Sequence, residues 1–189
     1  MKTATAQIEG LSPLQQGRYH QTEKLEKESP EDYETRTWRE KAHVSKDGYV
    51  LIPAMGMKKC VEKAASMLSA KIKGRGKATY TKHFLSGIMV TEPPKVNFLA
   101  ADMIPLWVFG NSMGKRGSAQ GGRVAKCFPT IPHAGWKATA TFYILDEIIT
   151  KDIFEKHLIE AGNFVGLCVI RPENGGYYGR FKVNDLTWE

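Results

Sequence analysis

Apolar and polar positions along the chain change period several times, and each change marks an element. Over residues 55–70, apolar side chains fall at Met57, Cys60, Val61, Ala64, Ala65 and Leu68, with Lys58, Lys59, Glu62, Lys63 and Ser66 between them. That recurrence predicts a helix with one buried stripe. Residues 136–144 alternate instead. Trp136, Ala138, Ala140, Phe142 and Ile144 oppose Lys137, Thr139, Thr141 and Tyr143, which predicts a strand with one core face. A second helix is predicted from an N-cap at Thr150 to Ala161, striped by Ile153, Phe154, His157 and Leu158 and stopped by Gly162. Residues 164–170 are apolar on both faces, as in a central strand, and Arg171-Pro172 ends it. Asn174-Gly175-Gly176 supplies a turn, and residues 177–183 are expected to return as a strand.

Towards the N-terminus the signals are weaker. Residues 1–32 hold few large apolar side chains and read as a flexible, solvated arm. Residues 33–44 are expected as a strand anchored by Trp38, joined through an Asp47-Gly48 turn to a short strand over 49–52. Strands are also expected over 83–90 and 96–109, with Pro105 marking an edge. Residues 111–122 form a Gly/Ser-rich cationic loop, and 123–128 the strand leaving it, so the pair predicts a long basic hairpin. Two units of strand and helix together describe an α+β, ferredoxin-like (RRM-like) antiparallel sheet with both helices on one face. The expected domain spans 33–189, with an insertion at about 71–135.

Charge sharpens this picture. The chain carries a net +7, yet between Lys71 and Lys126 ten basic residues meet two acidic ones, a local +8. Those ten are Lys71, Lys73, Arg75, Lys77, Lys82, Lys95, Lys115, Arg116, Arg123 and Lys126. Such concentration is the electrostatic footprint of a polyanion partner. Near the C-terminus, Arg171, Arg180 and Lys182 accompany Gly175, Gly176, Tyr177, Tyr178 and Gly179. Bare backbone, cations and flat rings together suit a phosphate chain carrying bases, and the same glycines also suit a tight hairpin. Residues 71–77 lack the spacing of a P-loop. Three widely separated cysteines form no C-x-x-C pair, so neither a disulfide framework nor a zinc site is expected, and a reducing, cytoplasmic setting is. No metal or cofactor is expected, and no apolar run approaches the ~20 residues of a membrane helix.

Two stretches resemble a known family. Ile52-Pro53-Ala54-Met55-Gly56-Met57-Lys58, opening a helix, resembles the start of the first helix in RAMP-superfamily proteins of CRISPR effector complexes. Gly175-Gly176-Tyr177-Tyr178-Gly179-Arg180-Phe181 resembles their C-terminal Gly-rich loop and strand, with Ile148-Ile149-Thr150 and Glu160-Ala161-Gly162 in matching places. Lys59 stands where the family pattern has glycine, and the chain is compact for a backbone subunit. The resemblance implies a ferredoxin-like core, a β-hairpin thumb and RNA contacts from the Gly-rich loop, and Lys58 and Lys59 at the helix start are expected among the nucleic-acid-binding residues. A phage or mobile-element relative that binds single-stranded nucleic acid fits the same features.

The expectation is a non-catalytic protein that binds single-stranded nucleic acid, RNA before DNA, and associates with itself or with other subunits. Phosphates are expected along residues 71–82 and 115–126, and bases against Tyr177, Tyr178 or Phe181. A metal-independent endoribonuclease using His43 or His83 with Lys82 is one alternative. A protein-interaction or inhibitor module is the other.

Overall fold

In the computed structural model, which describes residues 1–111 and 123–189, the first strand is already central. β1 (Lys2–Gly10) turns Ala4, Ala6 and Ile8 into the core and Thr3, Thr5 and Gln7 the other way. After the short β2 (Leu14–Gln15) the chain runs to α1 (Pro30–Thr37) and a 3-10 turn at Trp38–Lys41. Then come β3 (Tyr49–Leu51), α2 (Ala54–Leu68), α3 (Thr81–Gly87), β4 (Ile88–Met89) and β5 (Lys95–Leu99). β6 (Ile104–Asn111) and β7 (Arg123–Ile131) follow, then β8 (Lys137–Ile144), α4 (Lys151–Glu160) and β9 (Phe181–Trp188). Among the described residues no helix is long and apolar enough to cross a membrane.

The main sheet runs β3-β5-β8-β1-β9, with β4 also on β8, and its pairings are antiparallel. Taking β1, α2, β5, β8, α4 and β9 in chain order gives β-α-β-β-α-β with β1 between β8 and β9. This is the ferredoxin-like arrangement expected from the sequence. Met57, Cys60, Val61, Ala64 and Ala65 of α2 share one core cluster with Phe154 and Leu158 of α4. Both helices cover the face that presents Ala4, Ala6, Ile8, Ala140 and Phe142.

A second sheet, β2-β7-β6, holds the expected hairpin in register from Ile104↔Thr130 to Asn111↔Arg123. Pro105 lies on the edge strand, where its missing N–H costs no ladder bond. α1 clamps this sheet. Its start is capped by Ser29, whose Oγ accepts from the Asp32 N–H at 3.1 Å, with Pro30 in the first turn. Glu34, 2% exposed, accepts from the Cys127 N–H at 2.8 Å, from Lys126 Nζ at 3.0 Å and from Lys41. Lys41 in turn donates to the Cys127 carbonyl at 2.9 Å.

Four expectations are corrected. Residues 2–10, read as part of a flexible arm over 1–32, form the central strand, because their inward side chains are small rather than absent. Residues 33–44, read as a strand, hold most of α1 and its 3-10 turn, driven by the Ser29-Pro30 cap. Residues 83–90 hold most of α3 and then β4. Residues 164–170 form no strand: a π-helical turn, Ala161–Val165, leads into a loop.

The Glu34 cluster gives a test with a defined sign. Burial pushes this carboxyl up, but Lys41, the Cys127 N–H and Lys126 together hold it below its ordinary 4.5. A carboxyl depressed in the folded state stabilises the fold above its unfolded pKa and loses that contribution as pH falls through the folded one. Glu34→Gln, leaving Lys41 buried without its anion, is expected to cost about 3–5 kcal/mol at pH 7. Urea midpoints should therefore show a parent-minus-variant gap that shrinks as pH falls below about 4.5. A gap independent of pH would assign the loss to packing alone.

Candidate nucleic-acid interface

Beyond the π-helical turn the chain doubles back on itself before entering β9. The two arms of this loop are joined by Leu167 N–H to the Gly179 carbonyl at 3.0 Å and Tyr178 N–H to the Ile170 carbonyl at 3.3 Å. Glycine is needed where the arms touch. A β-carbon on Gly176 would lie 1.9 Å from the Ile170 oxygen. One on Gly179, where φ is +72°, would lie 2.2 Å from the Leu167 oxygen. These two glycines therefore serve the loop's own packing. Gly175 differs, since a β-carbon there meets nothing within 4 Å. Cys168 and Ile170 take φ of 64° and 46°, a region that costs an L residue roughly 1–2 kcal/mol. Among the described residues, the backbone N–H groups of these two find no acceptor.

The loop lies over the start of α2. That helix is preceded by Pro53, has no side-chain cap and carries no acidic residue in its first turn. Its leading N–H groups and the positive end of its dipole are thus unopposed. Between helix and loop is a cleft of about 110 Å³ lined by Pro53, Gly56, Lys59, Cys60, Gly166, Leu167, Cys168 and Arg171. It widens into a groove of about 450 Å³ along Lys59, Lys63, Ser66, Thr81, Arg171 and Glu173. The Cys60 thiol fixes the floor, donating to the Gly166 carbonyl at 3.2 Å, and burial pushes its pKa up so that it keeps that proton. Burial pushes Cys168 up as well, to about 12.

Arg171 is held along the loop by Glu173 at 2.9 Å and donates to the Cys168 carbonyl at 3.0 Å. Lys63 reaches the same Glu173 at 3.0 Å. Burial raises the Glu173 carboxyl, but Lys63 and Arg171 hold it below the usual range. Arg180 is a clamp: its guanidinium donates to the Asn163 carbonyl and its N–H to Ser12 Oγ at 2.9 Å. β9 starts only at Phe181, so Tyr177 and Tyr178 precede the strand instead of lying in it, a correction to the strand expected over 177–183. Tyr177 and Tyr178 instead lie ring against ring, centroids 4.4 Å apart, with Tyr177 55% exposed. Burial and the neighbouring Tyr177 push the Tyr178 phenol up to about 12.

The other predicted cations fall in several places. Lys59 lines the cleft, whereas Lys58 pairs with Glu62 and donates to the Leu85 carbonyl at 2.8 Å, burial lowering its pKa. Lys71, Lys73, Arg75 and Lys77 stand exposed on a loop closed by the Lys71↔Thr79 bridge. That loop follows the far end of α2, about 20 Å from the cleft for a helix of 15 residues. Lys82 is exposed on α3. Lys126 is engaged by Glu34, and Arg123 begins β7. Lys115 and Arg116 lie outside the described residues. The basic segment is therefore not one surface. Lys63 was missed as a site residue, although its i+4 spacing from Lys59 puts both on one helix face.

Neither candidate histidine lines the cleft. His83 is buried with Nδ1 2.6 Å from Asp146, tying α3 to the turn before α4. Burial raises the Asp146 carboxyl while His83 and the Ile148 N–H bring it below its ordinary value. His43 is half-buried, and burial, then Arg18, lowers its pKa.

The loop geometry separates packing from exposure. Gly179→Ala should lower the melting temperature sharply, because a backbone oxygen and a positive φ oppose the new methyl group. Tyr177→Ala should leave it nearly unchanged. Thermal melts of the two variants check this, and equal melting points would mean that the loop arms do not pack as described.

No protein-family model matches the sequence, and no curated protein matches it. Among solved structures, the chain is similar to one in the cryo-EM structure of the type III-B Cmr-beta bound to cognate target RNA. The TM-score is 0.54 at 14% identity, over 99% of this chain and 60% of that one. It is also similar to the crystal structure of Cmr6 from Pyrococcus furiosus, with a TM-score of 0.49 and 14% identity over 97% and 98% of the two chains. This chain thus spans about three-fifths of the Cmr-beta chain's length. The RAMP resemblance drawn from Ile52–Lys58 and the Gly-rich loop holds at the level of the fold, which this chain shares with that Cmr-beta chain.

Proposed function

We propose that this chain is a non-catalytic subunit that binds single-stranded RNA and assembles with other subunits of a CRISPR effector-like complex. The observation that carries the reading is the cleft between the uncapped start of α2 and the Gly-rich loop. The uncapped start of α2, Cys168, Lys59 and the Glu173-held Arg171 line a space sized for a phosphate group. Lys63, paired with Glu173, adds a cation to the wider groove, which Glu62 and Glu173 also line, and a second phosphate would compete with those carboxylates for it. RNA is favoured because the fold is shared with a chain from a complex bound to target RNA. Binding without cleavage is favoured because the cleft holds no histidine, while His83 is committed to Asp146.

Tyr177 belongs to the same surface. Already paired with Tyr178 and more than half exposed, it presents an outer ring face on which a base can stack. The exposed cations over residues 71–77 extend the phosphate path if the strand follows α2 along its length.

Fluorescence anisotropy with single-stranded RNA over a salt series tests the reading. Lys59→Ala with Lys63→Ala should weaken binding for every sequence and flatten the salt slope by about 0.7 per lost phosphate contact. Gel analysis should return the RNA uncut. Unchanged affinity and slope in the double variant would move the site elsewhere, and cut RNA would favour the nuclease.

A further inference from the structure

The segment read as an arm builds a second groove that the cleft does not include. Its backbone is fixed to the base of the hairpin: Gln16 N–H donates to the Pro129 carbonyl at 2.9 Å and Arg18 N–H to the Lys41 carbonyl at 2.7 Å. The Gln16 amide locks the same spot, donating to the Leu51 carbonyl at 2.7 Å and accepting from the His43 N–H at 2.6 Å. Arg18 and Tyr19 are therefore presented from a rigid support, with Tyr19 82% exposed.

Across this groove of about 590 Å³ lies Arg39. Its guanidinium sits 4.1 Å from the centroid of Trp38, an indole only 6% exposed, while Arg39 itself is exposed. The guanidinium thus rests on the indole while the Arg39 side chain stays open to solvent. Through Arg39 and Val44 the groove runs on into an apolar trough of about 330 Å³ beside Met103 and Pro129. Among the described residues the one acid lining the wider groove, Glu40, is engaged by Thr22 and lies 3.5 Å from His20. At its other end the segment touches the Gly-rich loop: Val169 N–H donates to the Gln15 carbonyl, and Gly17 leaves no room for a β-carbon beside Val169.

We infer that this groove is a second subsite for the RNA strand, in which a base stacks on the Arg39–Trp38 platform and Arg18 meets an adjoining phosphate. The inference rests on the cleft being an RNA site, and Gly17 against Val169 is the point where the two meet. Two cations, Arg18 and the Arg39 guanidinium seated on an indole, with an exposed tyrosine beside an apolar trough are the chemistry of single-strand binding. A protein partner seated by shape alone makes no use of the exposed guanidinium.

Anisotropy with RNA of about four and about 16 nucleotides, the span of single-strand site sizes, separates the subsites. Arg39→Ala should weaken the long probe about five- to 150-fold, the range one stacked base supplies, and leave the short probe unchanged. Arg39→Lys, which keeps the charge but not the plane, should lose affinity with little change in salt slope. Tyr19→Ala, at an exposed position, gives a variant whose fold is not at issue. Long-probe affinity unchanged in all three, while Lys59→Ala with Lys63→Ala still weakens binding, would overturn the groove and leave the cleft standing. Equal losses for both probes would overturn the division into subsites. A parent protein that binds neither probe would overturn the reading of the cleft, and this inference with it.

Discussion

Two hydrogen-bonded ladders on one strand hold this molecule together. β1 pairs with β8 from Lys2↔Ile144 to Glu9↔Lys137, and with β9 from Ala4↔Trp188 to Gly10↔Phe181. Among the described residues, no other strand in the main sheet pairs with β9. Where β1 ends, its continuation takes hold of the Gly-rich loop: Gly179 N–H donates to the Pro13 carbonyl, and Leu11 N–H to the Arg180 carbonyl. The loop's position over α2, and hence the cleft, follows from that grip. Ala4 and Ala6, fully buried, let α2 and α4 settle close to the sheet.

How much of this was legible depends on side-chain size. α2, α4 and β8 announce themselves because apolar residues recur at a clean period, and the structure places those residues in the core apart from the half-buried Leu68 and Ile153. β1 alternates just as strictly, but with threonine against alanine, so its period carries little hydrophobic contrast. Residues 164–170 show the opposite failure. Val165 and Leu167 are buried and Cys168 and Ile170 half-buried, but they pack beneath a folded-back loop rather than between strands, and Phe164 is exposed. Burial alone does not distinguish the two. For α1 the signal was present in Ser29-Pro30-Glu31-Asp32, a cap followed by helix-compatible residues, and the aromatic content after it masked the helix.

The candidate site was legible in part for related reasons. Charge density located cations, and sequence can do no more, because it does not reveal which of them are already satisfied. Lys58, Lys126 and Arg180 all answer to partners within the fold. Arg171 is engaged too, by Glu173, yet it lines the cleft together with Lys59 because a helix start and a loop distant in sequence meet there. Glycine carried a similar ambiguity. At positions 176 and 179 it serves contact between loop arms, whereas at 175 the space is open and a φ of +80° is what favours glycine.

The placement of β1 also governs the order in which the chain can fold. A strand near the start that must pair with β9 has to wait until nearly everything between them has been synthesised. During that wait both of its edges are open, the condition in which β-prone segments aggregate. A strand rich in valine and isoleucine would be a hazard on that timescale. The threonine and alanine of β1 provide enough pattern to dock into a finished core and too little greasiness to nucleate association on the way. The weak contrast that conceals this strand from a reader of the sequence is what protects it from its neighbours in a crowded cell.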